Sequence, residues 1–383
     1  MARTLRSDKG LFLAVLFLVC VSAVMVSSAS AAAALQNNWH IIRYLFKQST
    51  WVVAGFLLMA VTMKINYRGY QQSFVVWTGL GVIALSLLLV LVAAPEINGS
   101  RRWFGVGGIG VQPSEFAKLA LVLFLADLLS RRMDKVNELS QVVAPVGIVV
   151  GGLVGLTLLQ PDLGTSAFLV MLAVVMIFAA GFHYRYLVGV VLCALPTLAA
   201  LILLSPRRAE RLERIMTWLD PWSDAAGGGF QIIQSFIAVG SGGLGGRGFM
   251  QGLQKIGFLP ESNTDFIYAV IGEEFGLIGT TLVLLAFLVI ALRGYRVATT
   301  MPDQYGSFLA LGLTTLLAVQ ALANISVVIG VLPNKGLPLP FVSAGGSSMF
   351  VSMLAVGMLL NLSQHTAPRL VGGLRQSAEA REA

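Results

Sequence analysis

Three carboxylates of this chain enter a long apolar stretch, which makes them the first candidates for chemistry. Asp265 opens the stretch, and Glu273 and Glu274 follow two turns deeper. A charged group at the centre of a membrane helix costs about 2.5–3.5 kcal/mol on insertion scales, so its position carries information about function. At the outer water boundary Asp265 could stay ionised and act as a general base, or it could simply cap the helix. Glu273 and Glu274 are expected to pair with cations inside the bundle.

Cations gather in a second segment, which ends in the motif PSEFAK. Arg101 and Arg102 lie on the loop before this motif. Glu115 and Lys118 are three residues apart in the first turn of the helix that follows, so they share one face. A helix-start ion pair would need no further role. Lys118 has no nearby loop into which its side chain could extend, which favours a functional cation that binds phosphate.

Two breaks between apolar segments carry further polar side chains. In the tight turn that follows Gln160, Asp162 could equally cap the next helix or contact a ligand. The segment 332–348 contains three prolines and three glycines, which break the helix. Irregular backbone at membrane depth is tolerated only where protein or a watery cavity covers it. Lys335 and Ser343 are therefore expected to face such a cavity.

These segments place both signs of charge on one external face of the protein. Cations suit a phosphate and carboxylates suit proton transfer, so the layout predicts a substrate with a lipid tail and a phosphate head. The charged residues that these segments place on this face are Arg101, Arg102, Lys118, Lys335, Glu115, Asp162 and Asp265.

Motifs for other common chemistries are missing from the sequence. Its three histidines and two cysteines are scattered and form no metal-ligand cluster. It has neither a GxxxxGK[ST] phosphate loop nor a GxSxG nucleophile elbow, so an ATPase and a serine hydrolase are not supported. No cofactor is required by the sequence, although oxygen ligands near Asp265 could hold Mg²⁺ or Mn²⁺ weakly.

The elements that must position these residues are membrane helices. Of the 383 residues, 56% are hydrophobic and 11% are charged, and the mean hydropathy is +0.81. Such a chain cannot cover a compact surface with polar groups, which excludes a soluble enzyme, and its continuous apolar runs exclude a β-barrel. The sequence predicts an all-α polytopic membrane protein with about ten transmembrane helices: 11–33, 49–65, 74–94, 114–130, 141–159, 164–182, 185–204, 267–292, 306–331 and 346–363. The first also resembles a signal peptide, but we interpret it as a retained span.

Lysine and arginine positions predict the orientation of these spans. The net charge of +8 in a membrane protein points to inner loops and anionic phosphate ligands rather than to nucleic acid. The short segments on the inner side hold more Lys and Arg if the N-terminus is inside, which predicts that both termini are cytoplasmic. The predicted organisation is a cytoplasmic N-terminus, one membrane domain and a cytoplasmic tail, at 1–10, 11–365 and 366–383.

A long external loop, 205–266, is predicted between spans seven and eight. Its residues 207–219 predict an amphipathic helix, which could lie in the membrane interface or be solvated. The apolar face of this helix holds Leu212, Ile215, Met216 and Leu219. The glycine-rich residues 240–248 could let the backbone approach a ligand closely, or they could pack as a re-entrant loop.

Five segments, in order and with membrane spacing, resemble the SEDS family of shape, elongation, division and sporulation proteins. The resemblance covers roughly residues 10–365. The segments read NGSRRWF…QPSEFAKL, LLQPDLGTS, LDPW…GGGFQIIQS, LPESNTDFIYAVIGEEFG and KGLPLPFVSAGGSS. The lysine in the stretch LPNKGLP is more similar to the cell-division branch of the family than to the elongation branch.

The resemblance implies a peptidoglycan glycosyltransferase that polymerises lipid II on the outer face of the cytoplasmic membrane, at the division septum. It implies a class B penicillin-binding protein and other division proteins as partners, and the nascent glycan as product. The family's essential aspartate falls on Asp265, which is therefore predicted to be catalytic, and its motif lysine falls on Lys118 with Glu115 beside it. Together with the charge layout, the resemblance predicts a set of substrate-binding residues: Lys118, Glu115, Arg101, Arg102, Asp162, Gln160, Asn263, Lys335 and Ser343. Two positions depart from the family: Asn263 stands where histidine is usual, and Ala344 where tyrosine is usual. A histidine-dependent proton relay is therefore not expected.

The mechanistic hypothesis is that Asp265 accepts a proton from the acceptor sugar hydroxyl, which attacks the anomeric carbon of the donor. Lipid pyrophosphate leaves, and its charge is stabilised by some of Arg101, Arg102, Lys118 and the arginines of the long loop. The alternatives are a lipid II flippase and a non-catalytic division scaffold. The polar residues cluster at one face, whereas transport favours sites near the midplane and internal repeats.

Overall fold

The computed structural model describes residues 7–37, 41–96, 100–106, 109–185, 208–334 and 336–366, together with Gly189 and Leu192. Most of these residues are helical. The α-helices are α1 Lys9–Asn37, α2 Ile41–Thr62, α3 Ser73–Ala93, α4 Pro113–Arg131, α5 Ala144–Leu159, α6 Leu163–Ala179, α7 Arg208–Leu219, α8 Phe230–Gly242, α9 Ile267–Thr300, α10 Gln304–Val328 and α11 Gly346–Gln364. A π-helical turn, Leu139–Val143, leads into α5. Two short strands, β1 Phe104–Val106 and β2 Ile109–Val111, pair antiparallel as a hairpin.

The helices confirm the predicted fold class. Nine of the ten predicted spans overlap a described helix, and most of the remaining one, 185–204, lies outside the described residues. Six of the described helices are long and apolar enough to cross a membrane. The chain is therefore a multi-pass membrane protein, while the count of ten spans and the division into 1–10, 11–365 and 366–383 stay predictions.

Helices α10 and α11 form the centre of the bundle. Over their most apolar stretches 72% of α10 and 83% of α11 is buried, whereas only 22% of α3 is. A helix that is apolar all round faces either other helices or lipid, and the exposed Phe74, Trp77 and Val92 mark the lipid side of α3. Polar residues on α10 and α11 are thus enclosed by protein, where they need hydrogen-bond partners.

The bundle has two polar ends, of which the one that carries Asp265 is called the Asp265 end below. There the hairpin rests on the start of α11, because the Ser347 hydroxyl accepts a hydrogen bond from the Gln112 amide at 3.0 Å. At the opposite end the Tyr67 hydroxyl donates to the Asp303 carboxylate. The described loops that were predicted to be external lie at the Asp265 end, and those predicted to be internal lie at the opposite end. The alternation of spans requires this arrangement.

The long loop contains ordered structure, as its sequence pattern predicts. Residues 208–219 form the helix α7, while Arg207 lies outside the described residues. The indole of Trp218 in α7 donates to the Gly330 carbonyl at 3.0 Å. The exposed apolar side chains are Leu212, Ile215, Met216 and Leu219. An interfacial position for α7 stays a prediction.

The glycine-rich segment packs against a kink in α9. Gly276 has φ 63° and ψ −157°, which interrupts the helix. Beside the kink the amide of Arg247 donates to the Glu273 carbonyl at 2.9 Å, as in a pair of strands. A Cβ atom on Gly242 or Gly246 would collide with carbonyl oxygens of α9. The glycines thus allow this segment to pack closely against α9. A re-entrant position in the membrane and a contact with a ligand both stay predictions.

The two glutamates of α9 hold this loop in place by different means. Glu274 forms a buried ion pair with Lys255 at 2.5 Å and accepts a hydrogen bond from Ser28 of α1 at 2.6 Å. Glu273 instead accepts from the backbone amides of residues 253–254 at 2.8–3.3 Å. The prediction of a cationic partner is therefore confirmed for Glu274 and wrong for Glu273, because the turn supplies backbone donors.

Candidate active site

Asp265 lies in the loop that leads into α9, two residues before the helix begins at Ile267. The helix is capped at Phe266 without any side-chain hydrogen bond, so the interpretation of Asp265 as a simple cap is wrong. The side chain is partly buried, and no hydrogen bond joins its carboxylate to another described residue. A Cβ atom on Gly336 would lie 2.7 Å from its Oδ2, so the carboxylate sits directly against this backbone.

The surroundings of Asp265 favour its protonated form. Burial, which is the largest cause, and nearby negative charges together raise the pKa of the Asp265 carboxyl to about 7. The charges belong to Glu261, Glu115 and Asp162. The structure thus brings three of the predicted carboxylates into one electrostatic cluster. A carboxyl group with a pKa near neutrality is suited to accept and release protons.

A network of hydrogen bonds fixes the backbone around Asp265. The Asn324 amide donates to the Asp265 carbonyl at 2.7 Å and to the Leu337 carbonyl at 2.8 Å. The Ser343 hydroxyl donates to the Thr264 carbonyl at 2.6 Å. These bonds join the segment 263–265 to the proline- and glycine-rich segment 336–345, referred to below as the PG segment.

Two residues in or next to the PG segment, Lys335 and Ser343, were predicted to face a watery cavity. Ser343 is buried, and its hydroxyl also accepts from the Leu339 amide at 2.8 Å. The prediction that Ser343 faces a watery cavity is wrong, because both hydrogen-bonding roles are used inside the protein. Lys335 lies outside the described residues. The Asn263 carbonyl accepts from the Ala344 amide at 2.9 Å, so the two departures from the family pattern are neighbours.

Glu115 and Lys118 form the predicted ion pair in the first turn of α4. Their side chains are 2.7 Å apart, and Lys118 also donates to Gln320 at 2.9 Å and lies over the Phe168 ring at 5.0 Å. The Lys118 side chain has 0% exposure. Its ammonium is thus enclosed by protein in this structure, and a contact with phosphate stays a prediction.

The two adjacent arginines have separate roles. Arg102 donates to the carbonyls of Gln160 and Pro161 at 2.9 and 2.6 Å, and thereby holds the turn between α5 and α6. Arg101 is exposed, with one guanidinium nitrogen 3.5 Å from the Leu91 carbonyl. Arg101 thus presents its charge to the surface, whereas the charge of Arg102 is directed at the turn.

The turn between α5 and α6 is closed by its own polar side chains. Asp162 accepts from the amide and the hydroxyl of Thr165 at 3.1 and 2.8 Å, so it caps α6. The Gln160 amide is buried and donates to the Leu87 carbonyl at 3.0 Å. Predicted substrate contacts by Asp162 and Gln160 stay predictions, and both side chains already have structural partners.

The sequence reasoning missed two amides on α10. Gln320 and Asn324 lie one turn apart and are buried beside the PG segment. Two amides with i, i+4 spacing inside an apolar span were a visible signal, because polar groups at that depth need partners. Among the described residues, no group of three or more His, Cys, Asp or Glu side chains is arranged to hold a metal ion.

A family model for the cell cycle proteins FtsW, RodA and SpoVE matches residues 9–368. The chain belongs to this family. The resemblance seen in the five motifs is thereby confirmed. All the helices described above fall within the matched range.

Similar proteins are known within the FtsW, RodA and SpoVE family. The "Probable peptidoglycan glycosyltransferase FtsW" of Geobacter metallireducens is 42% identical over 362 residues, which cover 94% of this chain and 95% of that protein. "Stage V sporulation protein E" of Bacillus subtilis is 41% identical over 364 residues, covering 94% and 97%. A chain from the structure "Structural coordination of polymerization and crosslinking by a peptidoglycan synthase complex" has a TM-score of 0.78 at 31% identity, covering 94% and 98%.

Proposed function

We propose that this protein is a peptidoglycan glycosyltransferase that polymerises lipid II, with Asp265 as its general base. The observation that carries the proposal is the Asp265 carboxylate, which lies outside the membrane helix, has a pKa of about 7 and accepts no hydrogen bond from the described residues. The name of the similar Geobacter metallireducens protein supports the reaction class.

In the proposed reaction Asp265 removes the proton of the acceptor sugar hydroxyl. The hydroxyl oxygen then forms a bond to the anomeric carbon of the donor, while the bond from that carbon to the lipid pyrophosphate breaks. The pyrophosphate leaves with the electron pair, and nearby cations stabilise its negative charge. Arg101, whose side chain is exposed, is the described cation that we assign to this role. From the sequence alone we add Lys335 and the arginines of the segment 207–214.

The proposed setting is the cytoplasmic membrane, with both termini inside and Asp265 on the outer face. A class B penicillin-binding protein is the proposed partner. The similar chain in the peptidoglycan synthase complex supports this pairing, since that structure concerns polymerization together with crosslinking. A division role at the septum is proposed from the LPNKGLP stretch and the FtsW relative, with other division proteins as further partners.

The function is tested by reconstituting the protein with its class B partner in vesicles that contain fluorescent lipid II. Glycan polymer on a gel supports the proposal. Movement of labelled lipid across the vesicle membrane without polymer would support a flippase instead, and neither polymer nor movement would support a scaffold. Parallel reactions with Mg²⁺, with Mn²⁺ and with EDTA test the divalent cation, which stays an expectation.

The rate of polymerisation is expected to rise with pH through about 7. Only the ionised carboxylate accepts a proton, and one pH unit below its pKa roughly one Asp265 group in ten is ionised. Initial rates from about pH 5.5 to 8.5 measure this profile. Glu261→Gln removes a negative charge that raises the Asp265 pKa, so its profile should shift to lower pH. A flat profile for the wild-type protein would contradict a base with this pKa.

A further inference from the structure

Two side-chain amides of α10, on Gln320 and Asn324, lie behind the Asp265 end and have no part in the proton transfer itself. They are 2% and 1% exposed, so they cannot contact a substrate at the surface. Their spacing of four residues puts them on the same face of the helix. Both amides donate hydrogen bonds to the PG segment.

The Asn324 amide joins two loops through a single nitrogen. Its Nδ2 donates to the Asp265 carbonyl at 2.7 Å and to the Leu337 carbonyl at 2.8 Å. Because both neighbours are carbonyl oxygens, the nitrogen must be the atom that faces them. The Oδ1 atom is buried and has no hydrogen-bond partner among the described residues. The residue thus leaves one acceptor unsatisfied while it keeps both bonds to the loops.

Gln320 makes the corresponding connection to the ion pair of α4. Its Oε1 accepts from the Lys118 ammonium at 2.9 Å, which fixes the orientation of the amide. Its Nε2 then faces the Pro338 carbonyl at 3.0 Å. Lys118 is therefore connected through Gln320 to Pro338 of the PG segment. Asn324 connects the neighbouring Leu337 to Asp265.

We propose that Asn324 is a positioning residue for Asp265, and that Gln320 transmits the position of the Lys118 ion pair to the same segment. The proposal rests on the proposed role of Asp265 as general base. A displacement of about 1 Å at a reacting group can lower a rate by about 10²-fold. Since neither amide is at the surface, the effect should fall on kcat rather than on KM.

Asn324→Leu tests the proposal, because leucine has a similar volume and cannot donate to either carbonyl. We expect kcat for lipid II polymerisation to fall about 10- to 100-fold, while KM changes by less than about threefold. Asn361→Leu is the matched control. Asn361 is a buried amide at the opposite end, where it donates to the Met63 carbonyl at 2.8 Å and accepts from the Tyr67 amide at 3.2 Å. Its replacement should lower thermal stability similarly but leave kcat within about twofold, per folded molecule.

Equal kcat values for Asn324→Leu and Asn361→Leu, per folded molecule, would overturn the proposal. If Asn324→Leu does not fold, Asn324→Ser is measured, since serine keeps one donor but is too short to bridge both carbonyls; an unchanged kcat for this variant would overturn the proposal as well. Asp265→Asn in the same assay separates the two ideas. If that variant polymerises normally, the general-base assignment fails; if it is inactive while Asn324→Leu is fully active, only the positioning role fails.

Discussion

Replacement of Asp265 by asparagine is expected to lower the rate of lipid II polymerisation by about 10²- to 10⁴-fold, the usual contribution of a general base. The asparagine side chain has nearly the same shape as aspartate but cannot accept the proton of the sugar hydroxyl. The structure also predicts little loss of stability, because no hydrogen bond joins the Asp265 carboxylate to another described residue. Single-turnover polymerisation with the partner protein present measures the effect on chemistry.

Glu261→Gln is the control for this experiment. Glu261 is an exposed carboxylate four residues away, and it accepts a hydrogen bond from the Thr264 hydroxyl at 2.8 Å. Its neutralisation also removes a negative charge near the site but removes no proposed base, so the rate at a pH where Asp265 is ionised should stay within about tenfold of wild type. Polymer formation by Asp265→Asn at the wild-type rate would contradict the catalytic assignment.

Replacement of Lys118 by methionine is expected to destabilise the protein by about 3–5 kcal/mol, the usual cost of leaving a buried charge without its partner. Glu115 is 3% exposed and would lose its ion pair, and Gln320 would lose the donor that orients its amide. Thermal unfolding in detergent measures the loss. We also expect a lower rate per folded molecule, because the PG segment would lose its connection to α4.

Two further variants distinguish the effect of breaking the ion pair on stability from the effect of merely losing a basic side chain. Glu115→Gln combined with Lys118→Met leaves no lone charge, and it should recover more than half of the lost stability. Arg131→Met removes a more exposed ion pair with Asp127 on the same helix, where an effect of about 0–1 kcal/mol is expected. If the loss of stability in the double variant equals the sum of the losses in the two single variants, the interpretation that a lone buried charge causes the destabilisation is contradicted.

The sequence allowed the fold and the position of Asp265 to be predicted, because both depend on local patterns. Long apolar runs show where helices cross a membrane, and a carboxylate at the edge of such a run stands out against a chain with 11% charged residues. The Glu115 and Lys118 pair could be predicted for the same reason, since i, i+3 spacing on a helix fixes which side chains are neighbours.

The depth of each polar group could not be predicted, because it depends on how helices pack around the group. Lys118 and Arg102 were expected to present charge to a phosphate, but α6 and α10 enclose the first and the turn at Gln160 binds the second. Ser343 likewise satisfies backbone groups that are remote in sequence. The role of Asn324 depends on contacts with two loops at once, which spacing along one helix does not reveal.

The contact between Ser28 and Glu274 has a consequence for biosynthesis. The two residues are 246 positions apart, so at about 5–20 residues per second α1 enters the membrane roughly 10 to 50 s before its partner is translated. The interval is longer still for the Asp8 amide, because it donates to the Ser363 hydroxyl, which is 355 positions later in the chain. Two of the hydrogen bonds that attach α1 and the residue before it to the bundle can therefore form only after most of the chain has been translated.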